Sequence, residues 1–135
     1  GVTTLAHGEI VDSITLPKQV RRSADAYLRF IPRSEMDIAV VGAAVSLNIS
    51  AAGIVQGARI ALGAVAPTAL LVKQGADAII GSKLDKAAIT ELANVCELAC
   101  APIDDKRGTV AFRKEVAGVL ARRAAKIAYR RAGGH

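Results

Sequence analysis

Two stretches of alternating side chains, separated by a four-residue turn, restrict the fold of this chain more than any other feature. In residues 38–49, Val41, Ala43, Val45, Leu47 and Ile49 fall on one side, and Gly42, Ala44, Ser46 and Asn48 on the other. Residues 50–53 read Ser-Ala-Ala-Gly and supply turn chemistry. Alternation resumes over residues 54–62, with Ile54, Ala58, Ile60 and Leu62 on one side and Arg59 on the other. Successive side chains of a strand point to opposite faces, so this pattern specifies two half-buried strands joined as an antiparallel hairpin. Gly42, Gly57 and Gly63 mark a close approach of another backbone, or bulges.

The flanking segments extend this reading. Residues 9–16 also alternate, with Ile10, Ile14 and Leu16 opposite Val11, Ser13 and Thr15, which predicts a strand that stops at Pro17. Residues 18–25 are polar and basic and read as a connector. Residues 27–31 form a short apolar-basic stretch ending at Pro32, and residues 33–37 are charged. Residues 69–72 read as a short third strand of this region, and residues 73–80 as a short helix ended by Gly81. Asp85 is an N-cap candidate for a helix through Ala99, with Ile89, Leu92, Val95 and Cys96 on its apolar stripe and Pro102 beyond its end. Thr109 is placed to cap a last helix running to about Arg130, whose apolar side reads Phe112, Val116, Val119, Leu120 and Ile127.

Strands followed by a run of helices imply an α+β fold, with about three helices on one face of a three- to four-stranded antiparallel sheet. The expected division is residues 1–17 as an end strand, 18–131 as the α+β domain and 132–135 as a frayed tail. A chain of 135 residues is one domain and buries a core without disulfides or metals. A chain opening on Gly1 is expected to be a piece of a longer one.

Composition narrows the function classes. The chain is 52% hydrophobic, which argues against intrinsic disorder. Its longest apolar stretch, broken by Gly42 and Ser46, falls far short of the roughly 18 residues of a membrane span. The start lacks the basic and apolar regions of a secretory signal, so a cytoplasmic location is expected, with Cys96 and Cys100 as free thiols. Those cysteines share a helix face, but His7 and His135 are the only other soft ligands and lie near the chain ends, so two buried apolar thiols are the simpler reading and no metal is expected.

No catalytic constellation is visible. The glycines form neither a dinucleotide-binding nor a P-loop fingerprint, and neither histidine lies beside a nucleophile. Asp104 and Asp105 precede Lys106 and Arg107, where ion pairing or capping accounts for them better than acid–base work. The net charge of +6 raises nucleic acid as a partner, and Arg122, Lys126 and Arg130, joined by Arg123 and Arg131, form a basic helix face. With two Tyr, two Phe, no Trp and no recognition motif, that face reads as solvated, or as a contact for an acidic protein, rather than as a nucleic-acid reader. A basic module for nucleic acid or an acidic partner remains the alternative function.

Four segments, in order, resemble a known family. Residues 8–17, GEIVDSITLP, resemble the E-I-x-x-x-I-x-x-P strand of the flavoprotein subunits of molybdenum hydroxylases, the carbon monoxide and xanthine dehydrogenase family. Residues 27–42, YLRFIPRSEMDIAVVG, are similar to the basic segment and D-I-A strand of those subunits. Residues 58–67, ARIALGAVAP, match their R-I-A-L-G-G-V-A-P strand, and residues 105–113, DKRGTVAFR, their D-x-R-G-S/T-x-x-Y-R segment before the final helix. The resemblance spans residues 5–129. It is to the C-terminal domain of the medium, FAD-binding subunit, and the wording R-x-E-M-D-I-A is nearest the carbon monoxide dehydrogenase branch.

That resemblance carries its own expectations. The whole enzyme oxidises its substrate at a molybdenum cofactor, and electrons pass through [2Fe–2S] clusters to FAD. The molybdenum cofactor and the clusters belong to a large and an iron–sulfur small subunit, and FAD phosphates are held by an N-terminal FAD-binding domain. This chain is thus expected to complete the flavin pocket and to be inactive alone. Residues matching Ile10 and Val11 pack near the flavin ring in the family, and a basic residue at the position of Arg29 lies near its edge. Arg29 is Lys in the xanthine dehydrogenase branch, and Phe112 stands where Tyr is usual, so a hydroxyl-mediated hydrogen bond there is lost.

Overall fold

A computed structural model describes residues 3–33 and 38–135. The chain order is β1 (Ser23–Phe30), β2 (Val41–Ile49), β3 (Val55–Gly63), β4 (Leu70–Leu71), α1 (Lys73–Asp77), α2 (Lys86–Ala99) and α3 (Val110–Arg131). The four strands form one antiparallel sheet in sequence order. The expected α+β architecture is therefore the one observed. α3 lies across β1 and β2, α1 against β3, and α2 beside α1 and α3.

The predicted hairpin forms. Val41, Ala43, Val45, Leu47 and Ile49 are all buried against the helices. Ser50 closes the turn: its N–H donates to the Ile54 carbonyl (2.8 Å), its Oγ accepts from the Ile54 N–H (3.1 Å), and Gly53 takes φ +79°, where only glycine is free of strain. One detail differs. The register runs Asn48↔Gly57 and then Ile49↔Val55, so Gln56 is an extra residue bulged out of β3. The bulge turns Val55 into the core and leaves Ile54 37% exposed, which reverses the expected parity at that end. No backbone crowds the three glycines: Gly57 borders the bulge and the Asn48 side chain, Gly42 the Tyr27 hydroxyl, and Gly63 has open space beside it.

Two further strand assignments change. β1 begins inside the segment read as a connector, because Ala24, Ala26, Leu28 and Phe30 turn to the helices while polar Asp25 and Arg29 turn away. Residues 9–16, read as a strand, join no strand among the described residues: alternation marks a surface able to join a sheet, but a ladder needs a partner edge. Ile10, Ile14 and Leu16 are each at least 80% exposed. Of the charged lead at residues 33–37, positions 34–37 lie outside the described residues.

The helices start where their caps predict. Asp85 Oδ1 accepts from the Ala88 N–H at 3.0 Å, and Thr109 Oγ1 from the Phe112 N–H at 3.2 Å. The buried face of α3 includes Leu120 of the expected stripe, with Val116 and Ile127 packed beside it, but alanines make most of it. Ala117, Ala121, Ala124, Ala125 and Ala128 are each 0% exposed, while Phe112 is 39% exposed and Val116, Val119 and Ile127 flank the contact. Side chains this small let the helix axis come close to the sheet, so Val45, Leu47 and the alanines fill one shared layer. Residues 132–134, marked as a fraying end, instead close α3: Gly133 N donates to Arg130 O (3.0 Å) and Gly134 N to Tyr129 O (2.9 Å), with Gly133 at φ +92°. These are the paired bonds of a Schellman cap.

Candidate functional site

The helices cover one face of the sheet and leave the other open. Strand register fixes what the open face presents: Arg29, Gly42 and Gly63 in one row, then Tyr27, Ala44, Ala61 and Leu71, then Asp25, Ser46 and Arg59. The centre is built of glycine, alanine and serine, so it is flat. Tyr27 (61% exposed) and Leu71 (53% exposed) rise on either side and bound a groove of about 520 Å³. Arg29 and Arg59 carry positive charge on the same surface. A flat, small-residue floor with apolar walls and cationic margins suits a planar group or another protein surface. It offers no nucleophile and no general acid–base pair.

The structure places the three sequence-derived site residues apart. Arg29 lies exposed on β1, at the edge of the open face and opposite Gly42. Ile10 and Val11 lie on the unpaired N-terminal arm, 84% and 64% exposed. Arg29 lies instead on the sheet, beside Gly42. The arm borders the sheet lower down, where residues 17–20 line a cavity with Ser46, Asn48 and Arg59, and Gln19 Nε2 donates to Asp25 Oδ2 at 3.4 Å. Sequence reasoning missed Tyr27, Leu71 and Arg59 as parts of this surface. The signal was present in the small outward side chains of residues 42–46, but it needed β1 as a neighbour to become a groove.

The other polar centre is structural. Arg113 is 4% exposed and spends its guanidinium on three acceptors: Nη1 to Val40 O (2.8 Å), Nη2 to Asp105 Oδ1 (2.6 Å) and Nε to Gly108 O (3.4 Å). Asp105 also accepts from the Arg107 N–H at 2.7 Å, while Asp104 accepts from the Val110 N–H at the start of α3. The Arg107 N–H and then the Arg113 guanidinium hold the Asp105 carboxyl below the usual carboxylate range. The expected local pairing and capping are found, with Arg113 as an added partner. The D-x-R-G-S/T-x-x-x-R spacing is thus a clasp that fixes the start of α3 to the end of the loop before β2. Phe112, in place of Tyr, sets its ring edge-on to Phe30 at 5.8 Å.

The cysteines are inert in place. Cys96 is 0% and Cys100 4% exposed, and Cys100 Sγ donates to Cys96 O at 3.0 Å. Burial, above all, pushes their thiols up to about 12 and about 11. Among the described residues no cluster of three or more His, Cys, Asp or Glu forms a metal site, and no helix is long and apolar enough to cross a membrane. The basic residues Arg122, Arg123, Lys126 and Arg130 line the exposed side of α3, as expected, and Arg131 Nη1 donates to Asp25 O at 2.8 Å.

Comparison with known proteins agrees with this geometry. Residues 26–128 match the CO dehydrogenase flavoprotein C-terminal domain. The carbon monoxide dehydrogenase medium chain of Afipia carboxidovorans is 34% identical over 130 residues, and that of Hydrogenophaga pseudoflava 32% over 130. Each alignment covers 96% of this chain but only 44% and 45% of those relatives, so the chain spans less than half their length. Among solved structures, reconstituted CO dehydrogenase from Oligotropha carboxidovorans superposes with TM-score 0.81 at 33% identity, over 86% of this chain and 40% of that one. Quinoline 2-oxidoreductase from Pseudomonas putida 86 superposes with TM-score 0.76 at 26% identity, over 82% of this chain and 38% of that one. With the family matched over residues 26–128 and the sheet-and-helix order in agreement, the chain belongs to the CO dehydrogenase flavoprotein C-terminal domain family.

Proposed function

We propose that this chain forms one wall of a flavin pocket in the medium subunit of a molybdenum-dependent, carbon monoxide dehydrogenase-like oxidoreductase. The observation that supports it most is the open sheet face: a flat floor of Gly42, Ala44 and Ser46 with Arg29 at its margin, uncovered in a chain less than half as long as its relatives. FAD, when bound by the complete subunit, supplies the electron-accepting ring. The residues present fit that ring in part. The open face has the flatness and the cation, and among the described residues no glycine-rich loop before a helix is placed to cradle a phosphate pair.

The roles of the named side chains follow from their chemistry. Arg29 favours negative charge gathering on a ring beside it. Ile10 and Val11, folded in from the arm, exclude water from an aromatic face, and burying their exposed side chains gives the arm a reason to dock. The arm is an end strand adjoining the neighbouring FAD-binding domain, toward which it brings alternating apolar side chains. The iron–sulfur small subunit and the molybdenum large subunit are the remaining partners. Electrons reach this subunit from [2Fe–2S] clusters, and the molybdenum cofactor stays in the large subunit.

Titration of the chain with FAD, followed by flavin fluorescence, tests the division of labour. The chain alone is expected to show no stoichiometric quenching. Stoichiometric, submicromolar binding would show that the pocket lies elsewhere.

A further inference from the structure

We propose that the outer edge of β1, beside the basic flank of α3, receives an extended acidic segment of a partner protein as an added strand. Among the described residues, β1 ends the sheet on one side and pairs with β2 alone. Alternate residues of a strand direct their backbone groups to opposite edges. Arg22 O accepts from the Ile49 N–H and Phe30 O from the Val40 N–H, so the even-numbered residues face β2. The N–H and C=O groups of Ser23, Asp25, Tyr27 and Arg29 therefore turn outward. Asp25 O shows the direction, since it accepts from Arg131 Nη1 at 2.8 Å. Neither a proline nor a register shift blunts this edge.

α3 runs alongside it. Two contacts fix which flank of the helix faces β1: the Arg131 bond to Asp25 O near one end, and the edge-on Phe112–Phe30 ring pair at the other. Helical spacing places Val116, Arg123, Ile127 and Arg130 on that same flank. Val116 and Ile127 are half-buried, while Arg123 and Arg130 are exposed. The side chains of Arg123 and Arg130 make no hydrogen bond or ion pair among the described residues, and α3 carries no acid after Glu115. The free edge thus runs beside an apolar strip with a cationic rim. A strand added there completes the ladder. Glutamates on its helix side lay their stems on Val116 and Ile127 and reach the two arginines, which sets the partner's charge. A second copy fits poorly, because pairing β1 with β1 brings the arginine flanks of two α3 helices together.

The test is an NMR titration of the isotopically labelled 135-residue chain with a blocked eight-residue peptide, the length of β1, alternating glutamate and threonine. One control peptide has lysine for glutamate, and another has proline at its two central positions. Saturable shifts and slowed amide exchange are expected at residues 23, 25, 27 and 29, with shifts at 123 and 130, for the glutamate peptide alone. Arg123→Gln combined with Arg130→Gln changes two exposed side chains, so the fold is kept, and is expected to weaken binding about threefold. No saturable response overturns the proposal, and so does an equal response to either control peptide. Slowed exchange at the same amides on raising the chain concentration without peptide would assign the edge to a second copy and overturn it as well.

Discussion

Replacing Arg113 by Met keeps the aliphatic stem in place and removes the guanidinium alone. The loss falls on a carbonyl that water cannot reach: Val40 is 0% exposed, and its oxygen accepts from Arg113 Nη1. Stranding a buried acceptor costs about 1–3 kcal/mol, and hydrogen bonds to a charged group are worth about 1.5–3 kcal/mol each. The bond to Gly108 at 3.4 Å is long and adds little. Asp105 keeps access to water, so the Arg113→Met change stops short of the full cost of breaking a buried pair, and about 3 kcal/mol is expected. Unfolding entropy of roughly 2.1 cal/mol/K per residue converts this to a drop in Tm of about 10 °C. Urea unfolding followed by circular dichroism gives the free energy, with an unchanged m-value confirming that the folded state is the same. A loss below about 1 kcal/mol would refute the reasoning, since it would mean that Val40 O has another partner and that the clasp is ornamental.

Other expectations follow from the same geometry. Ala124→Leu inserts bulk where α3 meets the sheet at 0% exposure and is expected to cost about 1–3 kcal/mol by thermal unfolding, whereas Ala→Leu at exposed Ala111 is near neutral. A thiol-reactive dye is expected to leave Cys96 and Cys100 unlabelled in the native chain and to label both in urea, because burial keeps both thiols protonated. The Asp105 carboxyl is held low in the folded chain, so its contribution is present above about pH 4 and is lost as the pH falls through its folded value. The Tm gap between the parent and Asp105→Asn should therefore be widest near neutrality and close in acid, and a gap independent of pH would count against the ion pair.

What the sequence disclosed depended on which side chains carry a hydrophobic signal. β2 was legible because every second residue from Val41 to Ile49 is apolar and buried. The bulge at Gln56 was not, since no residue type there announces it. β1 was hidden because Asp25 and Arg29 look like connector residues until a sheet leaves one face open. The arm at residues 9–16 has the pattern of a strand, but among the described residues it joins no strand of the sheet. In α3 the bulky residues drew attention and Leu120 is indeed buried, yet alanines make most of the contact, because closeness of approach matters at a helix–sheet interface. Arg113 was missed as a core residue because a charged side chain is read as surface until its acceptors are known. Within the candidate site, Arg29 was proposed through family resemblance, while Tyr27 and Leu71 became visible only when register set them across the small-residue floor.

The central claim is where the flavin-bearing neighbour sits. The most direct measurement maps amide shifts of the isotopically labelled chain on addition of the FAD-loaded N-terminal portion of a carbon monoxide dehydrogenase medium chain. Shifts are expected to concentrate on Ile10 and Val11 of the arm and on Tyr27, Arg29, Gly42, Ala44 and Ala61 of the open face. Shifts confined to the outer sides of α2 and α3, with the open face unmoved, would contradict it.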